Sequence, residues 1–272
     1  MKQRLDKFLV EKDLTESREK AIELIKAGFV KVNGKPIKKP SFKVSEKDNI
    51  EIEKQFPYVS RAGLKLERAL TVFNLSVKDK VCLDIGASTG GFTDCLLKFG
   101  AKKVYAVDSG TDQLHQSLKN NPKVISMEQT NARYLTKSQI PEEIEFLVCD
   151  VSFISVLKIL PNIKQLLKED FEGVVLIKPQ FELSREKLKK GVVKKKEFHI
   201  QAIEKVLNGL KEAGFGICNL DFSMPFGTDG NIEFITHINF SENFIKSDTI
   251  KSIVDKAHIK FKEEKDGSSG LS

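Results

Sequence analysis

Between residues 60 and 240 short apolar runs alternate with amphipathic helical stretches, and this alternation limits the fold more than any other feature of the chain. Strands separated by helices pair in parallel and need helices on both faces, so the pattern predicts a doubly wound α/β sheet. Apolar runs predict strands over 81–85, 103–107, 123–127, 145–150, 173–178, 216–222 and 232–239. Helical periodicity predicts helices over 62–74, 91–99, 155–168 and 198–213. The last two strands follow one another with no helix between them, which favours an antiparallel hairpin at the sheet edge. A chain of 272 residues has room for such a domain and a small companion.

Residues 1–54 read as that companion, an α+β unit. Leu5, Phe8 and Leu9 recur at helical spacing; Thr15 or Glu16 opens a second helix with Ala21, Ile22, Leu24 and Ile25 on its apolar face, ending at Ala27-Gly28. Phe29-Val30-Lys31-Val32 alternates as a strand, Asn33-Gly34 is a hairpin turn, and Asn49-Ile50-Glu51-Ile52 closes the unit. Through Arg4-Leu5-Asp6, Ser17-Arg18, Ala27-Gly28-Phe29-Val30 and Val32-Asn33-Gly34, the segment resembles the αL RNA-binding module shared by pseudouridine synthases and a small-subunit ribosomal protein. It carries 14 Lys or Arg against 10 Asp or Glu. The resemblance implies that Arg4, Arg18, Lys20, Lys26, Lys31, Lys35, Lys38 and Lys39 meet RNA phosphates; alone, they read equally as solvated surface charges. Residues 55–60 read as a linker, 61–245 as the larger domain and 246–272 as an extension whose polar, Gly/Ser-rich end is expected to fray.

Residues 81–92 join an apolar strand to a glycine-rich turn and a helix start, with Asp84, Gly86, Ala87, Ser88, Thr89, Gly90, Gly91 and Phe92 as candidate cofactor contacts. Asp84 suits a cationic amino-acid moiety, and Asp108, at the end of the next strand, suits both ribose hydroxyls of an adenosine. Asn131-Ala132 follows the third strand, where an adenine edge would be read, although Asn131 also reads as a turn residue. The turn lacks the Gly-Lys-Ser/Thr ending of a phosphate-binding loop, which disfavours ATP and GTP. S-adenosylmethionine (SAM) has no phosphates and suits such a turn, with a nicotinamide cofactor as the rival.

Lys65, Asp150, Lys178 and Glu233 stand where the carboxyl ends of the strands converge. Ser60-Arg61-Ala62-Gly63, residues 83–91, Asp150-Val151-Ser152-Phe153-Ile154-Ser155, Ile177-Lys178-Pro179-Gln180-Phe181-Glu182 and Gly230-Asn231-Ile232-Glu233 resemble the motifs of the TlyA family, grouped with the FtsJ-like ribose 2′-O-methyltransferases. The resemblance spans about residues 1–240. It implies a Rossmann-like SAM-dependent methyltransferase sheet with an antiparallel C-terminal edge hairpin. It also implies methylation of ribosomal RNA riboses by a Lys-Asp-Lys-Glu set carried on those four residues. In that chemistry Lys178 is the expected base, Lys65 steadies the alkoxide, and Asp150 and Glu233 orient the lysines. Phe153 and Phe181 could stack on bases, but a phenylalanine in a chain with 19 of them reads first as core filler. The basic run at 185–196 reads as a mobile solvated loop near the site mouth. Where the family pattern has a Gly pair and an Arg-Asp pair, this chain has Lys190-Gly191 and Lys194-Lys195.

Net charge is +7 with a pI near 9.0, which favours polyanionic partners such as ribosomal RNA or a ribosomal subunit. Cys82, Cys95, Cys149 and Cys218 lack disulfide or metal spacing, and neither a signal peptide nor a run of about 20 apolar residues is present. The expectation is a cytoplasmic protein without a metal. Some TlyA members carry a haemolysin name, so a pore former is one rival; a non-catalytic RNA-binding assembly factor is the other. Base methylation would call for an Asn/Asp-Pro-Pro-Phe/Tyr motif, and Asp150-Val151-Ser152-Phe153 is not one.

Overall fold

Sequence runs this short fold by pairing, and in the N-terminal segment the strands pair with one another. In a computed structural model, which describes residues 2–52, 57–227 and 230–269, the chain divides into two units, Met1–Pro57 and Tyr58–Ser272. Residues 53–56, which include the end of the expected first domain and the start of the expected linker, lie outside the described residues. In the first unit β1 (Gln3–Arg4) leads into α1 (Leu5–Glu11), followed by α2 (Arg18–Ala27), β2 (Val30–Val32), β3 (Lys35–Pro36), β4 (Lys43–Val44) and β5 (Ile50–Ile52). Ser17 caps α2, its hydroxyl accepting the Lys20 N–H at 3.2 Å, so the helix starts after Ser17 rather than at Thr15 or Glu16. β2 pairs antiparallel with β3 and β5, and Leu5, Phe8, Leu9, Leu24 and Ile25 are buried beneath.

The second unit runs through α3 (Ala62–Val72), β6 (Val81–Ile85), α4 (Gly91–Lys98), β7 (Lys103–Val107), α5 (Gln116–Lys119), β8 (Val124–Met127), β9 (Ile144–Cys149), α6 (Leu160–Ile163), β10 (Leu167–Ile177), α7 (Pro179–Glu182), α8 (Lys196–Glu212), β11 (Gly216–Phe222), β12 (Phe234–Asn239) and α9 (Ser247–Ser269). The seven strands lie in the order β11-β12-β10-β9-β6-β7-β8. β12 runs antiparallel to both β10 and β11; the remaining pairs are parallel. Both faces are covered, as the continuous apolar runs require. Leu83, Ile85, Leu147 and Val175 point into one core, and Cys82, Phe146, Val148 and Val174 into the other. Each such side chain contributes roughly 1.5–3 kcal/mol by leaving water.

The chain winds from β6 outward through β7 to β8, then crosses to β9 on the other side of β6. That reversal opens a crevice at the carboxyl ends of β6 and β9.

One expectation needs correction. The helix expected over 155–168 is broken into a 3₁₀ turn (Val156–Lys158), the single α-turn α6 and a second 3₁₀ turn (Lys164–Leu166). Pro161 sits in the first turn of α6, where it can start a helix but cannot continue one. At the C-terminal end α9 extends to Ser269, and 270–272 lie outside the described residues. Ile250, Ile253, Val254 and Ala257 bury one face of α9 in the core.

Candidate active site

The crevice begins with the turn after β6. Gly86 has φ +83°, and a Cβ there would lie 2.4 Å from the Asp150 carbonyl oxygen, so the two strand ends meet only because this residue has no side chain. The Asp150 N–H donates to the Ile85 carbonyl at 2.9 Å and locks the same contact. We expect Gly86→Ala to cost at least about 2 kcal/mol of stability, combining left-handed strain with a backbone clash, as read from denaturant unfolding. An unchanged midpoint would mean that the strand ends can part without cost.

A cavity of about 590 Å³ opens beside this turn, lined among others by Gly86, Ser88, Asp108, Asn131 and Ala132. A second of about 170 Å³ is lined by Ala87, Thr89, Gly91, Phe92, Asp150 and Lys178, among others. Asp108 shapes the first: one carboxylate oxygen accepts the Ser88 N–H at 2.8 Å and the other the Gly110 N–H at 2.7 Å. Asn131 lines the cavity, and its Oδ1 accepts the Arg133 N–H at 3.1 Å to cap a 3₁₀ turn.

Asp84 and Gly90 line neither cavity. Gly90, at φ +95°, leaves room for Leu118 and Leu114; a Cβ would sit 2.2 Å from Leu118. Asp84 is fully buried beneath the turn, Oδ2 accepting the Thr93 hydroxyl at 2.6 Å and Oδ1 having no hydrogen-bond partner among the described residues. Burial, opposed by the Thr93 bond and assisted by the nearby Asp150 charge, pushes its pKa up to about 7.

The third cavity, about 220 Å³, is lined by Lys65, Lys178 and Glu233 together with Arg61, Ser152, Phe153 and Asn231, among others, while Asp150 lines the other two. Lys65 on α3 is 8% exposed and pairs with Glu233, just before β12, at 2.5 Å. Burial works against the Lys65 ammonium, but the Glu233 and Asp150 carboxylates together outweigh it and raise its pKa. Lys178, just past β10, pairs with Asp150, just past β9, at 2.5 Å, and donates to the Ser152 hydroxyl at 3.0 Å. The result is two lysine–carboxylate pairs facing one space.

Ser152, a motif position to which the sequence alone attaches no role, lines all three cavities. Phe153 is a clearer miss. Instead of filling a core, it is 91% exposed at φ +66°, its ring 5.0 Å from that of Phe181 at the cavity rim. A left-handed phenylalanine is uncommon, and the letter F carries no signal of it.

In the first unit the expected RNA contacts fall into separate groups. Asp6, fully buried, accepts Arg4 through both oxygens at 2.9 Å and Arg18 at 3.0 and 3.1 Å. The Arg4 bonds, with Arg18 beside them and against the cost of burial, hold its carboxyl down at about 2. Lys38 reaches the end of α2, its Cε lying 3.2 Å from where a Gly28 Cβ would stand. Lys31 and Lys35 flank the β2–β3 turn, Lys20 pairs with Glu23 at 3.7 Å, and Lys26 and Lys39 are exposed.

Sheet order, glycine turn and antiparallel edge define an α/β domain of the methyltransferase type joined to a small α+β unit. Comparison with known proteins agrees: residues 58–240 match the FtsJ-like methyltransferase family and residues 3–50 the S4 domain. YqxC of Bacillus subtilis (strain 168) is 42% identical over 272 residues, 97% of each chain. The 16S/23S rRNA (cytidine-2′-O)-methyltransferase TlyA of Mycobacterium tuberculosis is 38% identical over 234 residues, covering 85% of this chain and 87% of that one. A solved structure from Streptococcus thermophilus, of a protein with a hemolysin name, superposes with a TM-score of 0.80 at 42% identity, covering 97% of this chain and 98% of that one. The chain belongs to the FtsJ-like methyltransferase family, among its TlyA members. Fold and family imply SAM as methyl donor. The site fits it through the unpartnered Asp84 oxygen, suited to a cation, and a turn without a phosphate-binding lysine. Among the described residues no helix is long and apolar enough to cross a membrane, and no His/Cys/Asp/Glu group could hold a metal.

Proposed function

We propose that this chain methylates a ribose 2′-hydroxyl of ribosomal RNA, using SAM, in the cytoplasm. The observation that carries the reading is Lys178 Nζ, gripped by Asp150 and Ser152 where the cavity bordered by the glycine turn meets the one containing the Lys65–Glu233 pair. Names of relatives, above all the M. tuberculosis TlyA methyltransferase, support the same chemistry.

A ribose hydroxyl attacks only as it loses its proton. Lys178 is placed to accept that proton, with Asp150 and Ser152 fixing the direction of Nζ. Lys65, kept as an ammonium by Glu233 and Asp150, steadies the oxygen's developing charge. Phe153 and Phe181 offer an exposed aromatic edge for the target base. Bound SAM supplies the electrophilic methyl group. Asp108 would hold the ribose hydroxyls of its adenosine, Asn131 and Ala132 the adenine edge, and the turn after β6, with Asp84 below, the amino-acid end.

Asp84 gives the reading a pH signature. Its ionised form attracts a cation and its protonated form does not, so affinity for SAM should weaken as pH falls through about 7. We expect Kd to rise about tenfold between pH 8 and pH 6, measured by calorimetry, and the dependence to vanish in Asp84→Asn. A flat profile in the unmodified protein would remove Asp84 from the cofactor's electrostatics.

The function itself is tested by incubating purified protein with ribosomal subunits and SAM carrying a labelled methyl group. Label entering ribosomal RNA supports the enzyme. RNA binding without label would favour an assembly factor, and lysis of erythrocytes by the purified protein a pore former.

A further inference from the structure

The basic run at 185–196, read from sequence as a mobile loop, contains an anchored hairpin. Lys189 and Val192 exchange backbone hydrogen bonds, the Lys189 N–H donating at 2.9 Å and the Val192 N–H at 3.2 Å. Lys190 and Gly191 between them have φ +53° and +79°, the two left-handed centres of a tight hairpin turn. Glycine takes that conformation freely; a lysine pays about 1 kcal/mol or more. Something therefore holds the turn, and it is Asn231. Asn231 is 2% exposed, accepts the Val193 N–H at 3.0 Å and donates to the Gly191 carbonyl at 3.2 Å. Val193 is buried behind it.

Asn231 also lines the cavity that contains Lys65, Lys178 and Glu233. The hairpin is thus fastened to the wall of the proposed reaction chamber, two residues from Glu233. Its cations differ from their neighbours. Lys187 donates to Gln201, and Lys196 pairs with Asp255. By contrast, Arg185, Lys189, Lys190 and Lys194 are exposed and, among the described residues, have no carboxylate partner. A rigid turn that carries unpaired cations beside a polar chamber is suited to an extended polyanion whose register must be fixed.

We propose that the hairpin at 189–192, pinned by Asn231, is a phosphate grip that holds the RNA strand flanking the target nucleotide. The inference rests on the reading of this chain as an RNA ribose methyltransferase. It adds a contact surface within the methyltransferase unit, separate from the S4-like unit's own basic residues. The grip adds affinity and register without reading bases, because phosphates carry no sequence information.

The test is a variant with Lys189→Gln, Lys190→Gln and Lys194→Gln, all three side chains exposed and none lining the three cavities described above. Equilibrium binding of a ribosomal RNA fragment is measured from 50 to 300 mM KCl, and methyl transfer in parallel. Loss of three phosphate contacts should make the log Kd against log salt slope shallower by about 2. The KM for RNA should rise about tenfold, with kcat and the Kd for SAM changed less than twofold. An unchanged slope and KM would overturn the grip, as would a fall in kcat with KM unchanged. If the unmodified protein transfers no methyl group, the enzymatic reading fails, while the binding slopes still decide the grip. Binding of the unmodified protein to phosphatidylserine vesicles, lost in the variant while RNA binding stays intact, would assign the hairpin to a membrane surface and overturn the proposal.

Discussion

Lys178→Ala should lower the rate of methyl transfer by a factor of about 10² to 10⁴ while the Kd for SAM moves less than about threefold. The separation follows from geometry. Lys178 lines the smaller cavity beside the glycine turn, whereas the groups suited to adenosine, Asp108, Asn131 and Ala132, line the larger one, which Lys178 does not border. Losing the amine removes the proton acceptor but leaves the adenosine contacts intact. Lys178→Arg should fail nearly as badly, because a guanidinium keeps the charge yet cannot be deprotonated. Single-turnover assays with ribosomal subunits, beside calorimetric titration with SAM, measure both quantities. Activity within tenfold of the unmodified protein would move the proton to another group.

Glu233→Ala should produce the second large effect, on both stability and activity. Lys65 is 8% exposed and its nearest carboxylate oxygen, 2.5 Å away, belongs to Glu233. Removing that partner strands a buried ammonium, and breaking a buried pair from one side typically costs about 3–5 kcal/mol. Asp150 still acts on Lys65, so the lower end of that range is expected. A double variant, Lys65→Met with Glu233→Leu, removes both charges and should recover most of the stability, because apolar residues of similar volume often replace buried pairs without loss. It should recover no methyl transfer. Denaturant midpoints of the second unit and parallel transfer assays separate the two effects. Recovery of transfer in the double variant would reduce the pair to scaffolding.

The sheet was largely legible because both its faces are buried. Runs such as Val81-Cys82-Leu83 and Phe146-Leu147-Val148-Cys149 must be apolar at every position, and the observed strands coincide with the predicted ones or shift by a residue or two, except that β10 starts earlier, at Leu167. The 155–168 stretch misled because apolar periodicity persists through Pro161, and pattern alone does not weigh the lost N–H. Asp150 and Lys178 were legible at the carboxyl ends of β9 and β10, where parallel strands bring side chains together; Lys65, on α3, and the four residues as a set rested on the family resemblance.

What stayed hidden depends on backbone conformation. Gly90 looked like a ligand contact and instead admits Leu118; Phe153 looked like core and is turned outward. Arg4 and Arg18 read as phosphate ligands, and nothing local showed that both close on Asp6, because the second guanidinium arrives from twelve residues away. Asn231 carried a recognisable motif position, but its bonds to Gly191 and Val193 span about forty residues.

The most direct measurement of the central claim uses alkaline hydrolysis of RNA labelled by this protein with methyl-labelled SAM. A free 2′-hydroxyl is the nucleophile that breaks the adjacent phosphodiester in alkali, so an O-methylated ribose leaves that bond intact. The account expects the label in alkali-stable dinucleotides and none there with the Lys178→Ala protein. Label recovered in mononucleotides would mean transfer to a base, and the lysine-centred ribose chemistry would be contradicted.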